Sequence, residues 1–231
     1  GDVVAVTFSP KEDFLVTRCS DGVARFWICK TGEAVRAAGS LELAVREAWL
    51  SYSIFSRDGK KLALITPDVS LIEFVNPATR KRTKATQIHE AMVSLFLPAS
   101  FLPNGQLAHL TVSPDLKDKE RVLYHVELPN PAGGLARRLE GPFEYPSAMA
   151  CAPQGDLIAV ADSLPDSHKR VIRIHSTASG KRLAEFTGHV DAIRQLVFSP
   201  EGDRLFSVSQ DTTVLIWSVE KIRAALPARD R

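Results

Sequence analysis

The chain has only three cysteines in 231 residues, Cys19, Cys29 and Cys151; they lie far apart and form no C-x-x-C pair. An odd number at that spacing argues against a disulfide framework and against a structural zinc site. Cys19 and Cys29 fall on predicted strands and are expected to be buried thiols. Long apolar runs are also missing: the richest stretch, AMVSLFLPASFL at 91–102, is broken by Pro98 and falls short of the ~18 residues of a membrane span. Charge of one sign is not in excess. Lys and Arg number 29 against 27 Asp and Glu, a net charge of +2, too small to imply nucleic acid or an anionic membrane as partner. No initiator Met and no basic-then-apolar leader supply an address. Helical periodicity is confined to EKIRAAL at 220–226. No phosphate-binding loop, dinucleotide fingerprint, G-x-S-x-G elbow or paired catalytic carboxylates occur, so neither enzyme nor cofactor is expected.

What is present is a succession of short strands and turns. The stretch 186–220, FTGHVDAIRQLVFSPEGDRLFSVSQDTTVLIWSVE, carries the pattern in full. Gly188-His189 opens it, and IRQLVF, RLFSVS and VLIW follow, separated by SPEGD and QDTT. Short strands divided by Gly, Pro and Asp at this spacing read as an antiparallel sheet. A Gly-His opening and a strand ending in Trp within roughly 40–45 residues is the mark of one propeller blade. The stretch resembles the WD-repeat (tryptophan-aspartate repeat) β-propeller family, with Ser218 in place of the Asp that usually follows the Trp.

The same template runs through the chain. Pro10, Arg57, Pro103, Pro153 and Pro200 occupy one turn position, 46 to 50 residues apart. They divide residues 1–231 into repeats at about 1–39, 40–86, 87–140, 141–187 and 188–220, with a tail at 221–231. Second strands such as FLVT, LALIT and LIAVA are nearly continuous apolar runs, as expected where neighbouring blades cover both faces of a sheet. The expected fold is all-β, a single propeller with five recognisable four-stranded blades. EAVRAAG, KRTKAT, GLARRLE and KRLAEF supply outer strands for the first four, and the fifth lacks its outer strand. The resemblance implies a ring of typically seven blades, so that upstream blades are expected to close it. A looser likeness to large bacterial WD-repeat proteins points to the cytoplasm.

His189, Ser207, Asp211 and Trp217 match the family's structural tetrad. A buried indole N–H needs an acceptor, and an imidazole can accept at one nitrogen while donating from the other. Ser209 is the alternative hydroxyl. Thr17, Asp21 and Trp27 make the same set in the first repeat. A Ser/His/Asp set also invites a hydrolase reading, but the hydroxyl would lie behind Trp217 with no nucleophile elbow to present it. Elsewhere the motif has decayed: Arg46 takes the place of His189 and Phe74 that of Trp217 in the second repeat, Tyr124 is at the Trp place in the third, and Pro142 and His175 are at the His and Trp places in the fourth.

Two long polar loops, SPDLKDKER and DSLPDSHKR, join second to third strands in adjacent repeats and leave from one face. Loops on a rigid scaffold carry function more often than the elements they join. Lys117, Asp118, Lys119, Glu120, Arg121, Asp166, His168 and Lys169 are therefore the candidate partner-binding residues. Asp115, Asp118 and Glu120 lack the spacing of a calcium loop, and Asp162, Asp166 and His168 would meet a metal only by accident of folding; no metal is expected. The basic run RKRTK at 80–84 reads as charge blunting an outer edge strand. The function implied is a non-enzymatic scaffold presenting one disc face to a protein or peptide. The alternative is an accessory or sensor module of a larger enzyme or signalling protein whose catalytic part lies upstream.

Overall fold

The computed structural model describes residues 2–10, 14–21, 23–34, 41–42, 52–66, 71–79, 81–87, 98–115, 122–130, 136–164 and 169–226. The chain divides into two compact units, Gly1–Leu95 and Phe96–Arg231. Among the described residues the secondary structure is nearly all strand.

In the first unit, β1 (Val3–Phe8), β2 (Phe14–Cys19), β3 (Val23–Ile28) and β4 (Leu41–Glu42) form one antiparallel sheet in chain order. A second sheet follows with β5 (Tyr52–Phe55), β6 (Leu62–Thr66), β7 (Leu71–Val75) and β8 (Arg82–Gln87). Val16, Ala24 and Phe26 of the first sheet bury against Leu62, Leu64 and Val75 of the second. Thr7 and Ser53 link their inner strands through hydroxyls 2.8 Å apart. The opposite side of the first sheet leaves Val6 and Phe8 exposed.

In the second unit, β9 (Ser100–Phe101), β10 (Leu107–Pro114), β11 (Val122–Leu128) and β12 (Arg137–Arg138) make the third sheet. The fourth comprises β13 (Ala148–Cys151), β14 (Leu157–Leu164), β15 (Lys169–Ser176) and β16 (Arg182–Thr187). The fifth has three strands only, β17 (Ile193–Phe198), β18 (Arg204–Ser209) and β19 (Val214–Ser218), followed by a short helix, α1 (Glu220–Ala224). β13 lies beside both β9 and β17, so the three sheets stack in sequence order. Alanines of β13 and β14, with Ile172 and Ile174 of β15, meet Ile193, Leu196, Phe198 and Leu205 of the fifth sheet. The small alanines leave room for the larger side chains of the facing sheet to interdigitate.

The four-plus-four-plus-four-plus-four-plus-three arrangement is the one expected from the repeats, including the missing outer strand at the end. The turn chemistry explains its regularity. At the β17–β18 turn the Ser199 hydroxyl donates to Asp203 Oδ1 at 2.7 Å and accepts from the Arg204 N–H at 3.1 Å. Gly202 takes φ +69° there, and a Cβ on it would stand 2.4 Å from Gln154 Oε1 of the preceding turn. The positive φ is what calls for glycine there.

Three details differ from the sequence reading. In the first sheet, β3 meets Ala34 through a Trp27–Ala34 bridge and pairs with β4 at 41–42, so the repeat boundary at 39/40 falls inside the sheet; residues 35–39 of the expected strand EAVRAAG lie outside the described residues. Cys19 is buried, but Cys29 is exposed, because β3 ends at Ile28 and Cys29 enters the turn. The polar loops begin as strand: β10 continues through Ser113 and Pro114, and β14 pairs with β15 out to Leu164–Lys169, while 116–121 and 165–168 lie outside the described residues. The hairpin register propagates into the polar residues because backbone pairing does not depend on side-chain polarity.

Candidate functional site

The tether of the fifth sheet is assembled from four elements. Trp217 on β19 and Ser207 on β18 point to the face that meets the fourth sheet. Trp217 Nε1–H donates to Ser207 Oγ at 2.9 Å, leaving the serine proton for His189 Nε2, 2.7 Å away. His189 Nδ1–H then donates to Asp211 Oδ2 at 2.8 Å. Asp211, in the β18–β19 turn, also accepts the Val190 N–H at 3.0 Å and the Thr213 hydroxyl at 2.6 Å. The Thr213 hydroxyl foremost, with His189 and Val190, outweighs burial and holds the Asp211 carboxyl well below the usual aspartate range. The imidazole is fully enclosed. A hydroxyl that accepts from an indole, donates to an imidazole and lies buried has no path to a substrate; the set ties the β16–β17 connection to two strands and a turn.

Ser209, the other candidate hydroxyl, donates instead to Asp191 O at 2.9 Å. Gly188 is needed for close approach: a Cβ there would lie 2.9 Å from the Trp217 ring. Phe186 on β16 stacks on the same indole, with centroids 5.0 Å apart and planes 7° from parallel. This partner was not singled out from the sequence, although its position two residues before Gly188 is a usable signal.

In the first sheet Trp27 Nε1–H donates to Thr17 Oγ1 at 2.7 Å. Among the described residues Asp21 meets no histidine; it takes two bonds from the Arg25 guanidinium, 2.7 and 3.2 Å, and one from the Val23 N–H. The Arg25 bond is the main reason its carboxyl lies far below the ordinary value.

The fourth sheet ties down the equivalent connection by different chemistry. Asp162 on β14, fully buried, accepts the backbone N–H groups of Tyr145 and Glu144 at 2.8 and 3.1 Å and meets Arg173 Nη1 at 3.1 Å. Burial raises the Asp162 carboxyl, against the pull of Tyr145, Arg173 and Glu144. Arg173 on β15 also donates to Pro142 O at 3.1 Å and lies 5.4 Å from the Phe143 ring centroid. His175, at the Trp place, donates from Nε2 to Glu140 O at 2.9 Å; burial pushes its pKa down to about 4. Asp162 is thus a strand residue committed to structure. Cys151 nearby is pushed up to about 12 by burial, an unreactive thiol. In the third sheet, Tyr124 is buried and His125 Nε2 is 2.8 Å from Ser113 Oγ.

The remaining candidates divide sharply. Lys117, Asp118, Lys119, Glu120, Arg121, Asp166 and His168 lie outside the described residues, as does Arg46. Lys169 opens β15 and is exposed. Of the basic run at 80–84, Arg82 on the outer strand β8 pairs with Glu73 at 3.0 Å. Among the described residues no group of three His, Cys, Asp or Glu side chains is placed to hold a metal ion, and no helix is long and apolar enough to cross a membrane.

Comparison with known proteins agrees with this geometry. The WD domain, G-beta repeat family model matches residues 1–27 and 180–218. Periodic tryptophan protein 2 homolog of Neurospora crassa is 37% identical over 73 residues, 32% of this chain and 8% of that protein. Pre-rRNA-processing protein IPI3 of Mycosarcoma maydis is 32% identical over 78 residues, 34% and 12% of the two chains. Apoptotic protease-activating factor 1 of Danio rerio is 32% identical over 76 residues, 33% and 6%. The chain thus matches 6 to 12% of the length of these relatives. Among solved structures, the Myceliophteria thermophila Cps50 (Swd1) β-propeller domain aligns with 99% of this chain and 69% of its own, at 16% identity and a TM-score of 0.71. Kuenenia stuttgartiensis hydrazine synthase aligns with 90% and 55%, at 15% identity and 0.67; likeness at such identity shows the fold alone. The fold is that of a β-propeller, and the WD-repeat model matches its first repeat and the stretch 180–218, while residues 28–179 lie outside the match.

Proposed function

We propose that the chain is a non-enzymatic scaffold that presents the β10–β11 and β14–β15 hairpin ends of the second unit to a protein or peptide partner. WD-repeat propellers are in general non-catalytic scaffolds, and the one set of residues with a catalytic look, Ser207, His189 and Asp211, is consumed by structure. The observation that carries the reading is hairpin length. β14 and β15 each run eight residues, whereas β18 and β19 run six and five. Extra paired length carries the described ends of these hairpins, Pro114 with Val122 and Leu164 with Lys169, on stiff ribbons, and stiff presentation lowers the entropy lost on binding. The same reading has further blades packing here: β19 has no outer partner among the described residues, and Val197, Val208, Val214 and Ile216 stand exposed on its sheet.

A photo-crosslinking residue at Lys169 or Lys117 should capture a partner that one at Leu183, on the outer strand β16, does not. Capture from Leu183 alone, or partner binding unchanged by Lys117→Glu with Lys169→Glu, overturns the reading. A second reading, an accessory or sensor module of a larger enzyme or signalling protein, draws on the small fraction of each relative that the chain matches. The intact reading frame separates the two.

A further inference from the structure

At the end of the third and fourth sheets opposite the long hairpins, the turns between strands enclose a cleft of about 360 Å³. Its walls include Pro103, Leu128 and Pro129, and Arg137 lines it from β12. That volume lies near the lower end for ligand sites and suits two or three side chains of an extended segment rather than a cofactor. The amides around it are already occupied: Gln154 donates to Glu201 O at 2.7 Å, and Asn104 both donates to and accepts from Gln106.

Arg137 is different. Its Nη1 donates to Thr177 O at 2.9 Å, and no carboxylate pairs with it among the described residues, whereas the adjacent Arg138 meets Glu127 at 2.9 Å. The carbonyl that holds Arg137 is itself fixed, because the Thr177 hydroxyl donates to Gly155 O and its N–H to Asp156 O. The guanidinium is therefore held at the cleft with Nε and Nη2 still available, the geometry a carboxylate takes in a two-bond fork. Among the described residues, Arg137 is the one cation in a lining of mixed polar and apolar residues, which matches a single carboxylate; a phosphoryl group, with nearly twice the charge, calls for a cluster of donors.

We propose that this cleft binds an extended segment of a partner polypeptide, with an Asp or Glu carboxylate on Arg137 and a neighbouring apolar side chain against Pro103, Leu128 and Pro129. The surface is separate from the hairpin ends and takes from the scaffold reading only that the partner is a polypeptide.

The test is an array of acetylated, amidated octapeptides with Glu or Gln at the centre and Leu, Pro or Ser beside it, probed with the 231-residue chain. Glu peptides with an apolar neighbour should bind about tenfold tighter than their Gln counterparts. Arg137→Glu should remove that preference and transfer it to Lys-centred peptides. Ala178→Trp, which fills the cleft from its rim and removes no charge, should weaken every peptide while leaving the thermal midpoint unchanged. Equal binding of Glu and Gln peptides, binding indifferent to Arg137→Glu, or no binding at all overturns the proposal. Each of these results leaves crosslinking from Lys169 unaffected, so the two surfaces fail or stand separately.

Discussion

The fourth and fifth sheets solve one mechanical problem with opposite materials. Both must fasten the incoming connection to the second and third strands. The fifth uses an indole, a hydroxyl and an imidazole ending on Asp211, a carboxylate 7% exposed. The fourth buries a full ion pair, Asp162 with Arg173, and makes it tolerable by aiming backbone N–H groups at the carboxylate and a carbonyl at the guanidinium. Burial follows the same division. Every residue of β14 from Leu157 to Asp162 is buried, while β18 alternates because one face of its sheet is open. Where water is excluded from both faces, a charged pair with complete hydrogen bonding holds; beside an open face, the tether runs through neutral side chains and reaches a carboxylate only at the turn.

The largest effect should come from breaking the buried pair. Asp162→Ala leaves Arg173 with only the half-exposed Glu185 as counter-charge and should cost about 4 kcal/mol in denaturant unfolding. The double substitution Asp162→Leu with Arg173→Leu should recover much of that, as no charge then remains buried. Acid comes next. His175 is neutral in the fold and protonates at about 4, against about 6.5 unfolded. Below pH 6.5 the unfolded chain gains a proton that the fold refuses, so about 3 kcal/mol of stability should disappear between pH 6.5 and 4. His175→Gln, which keeps the donor to Glu140, should flatten that limb. The Asp211 carboxyl is depressed instead; its contribution persists above the ordinary aspartate pKa and is lost only as pH falls below it. The fourth sheet should therefore loosen first on acidification, visible as earlier proton exchange along β15 than along β19. His189→Ala should cost about 2 kcal/mol, since Trp217 keeps Ser207 and Asp211 keeps Thr213. Phe186→Leu, which removes the stacked ring, should cost about 1 kcal/mol and shift Trp217 fluorescence.

Legibility in the sequence follows the same line. Turn residues and apolar runs located all five sheets, the absent outer strand and the terminal helix, because those features depend on local backbone chemistry and on period. The fifth tether could be named residue by residue, because its parts sit at fixed offsets from Gly188. The fourth could not. Asp162 and Arg173 are eleven residues apart on two strands whose pairing runs Asp162↔Val171 and Val160↔Arg173, and polar residues after LIAVA read as the start of a loop. Only the register, which extends the hairpin to Lys169, turns that aspartate inward. The Arg137 cleft was equally hidden: it is made by turns from two sheets, each ordinary by itself.

The helix α1 bears on how far the chain can be trimmed. Arg223 reaches from it to Asp156 at 2.5 Å and to Gly202 O at 2.6 Å, while Leu226 is buried with the fourth and fifth sheets. The final three-stranded blade is thereby braced through its turn rather than through a fourth strand. A protease cut or a cloning boundary placed before Glu220 would release that brace and expose Val219; one placed after Leu226 would spare it. For anyone shortening or fusing this protein, the seam belongs beyond Leu226.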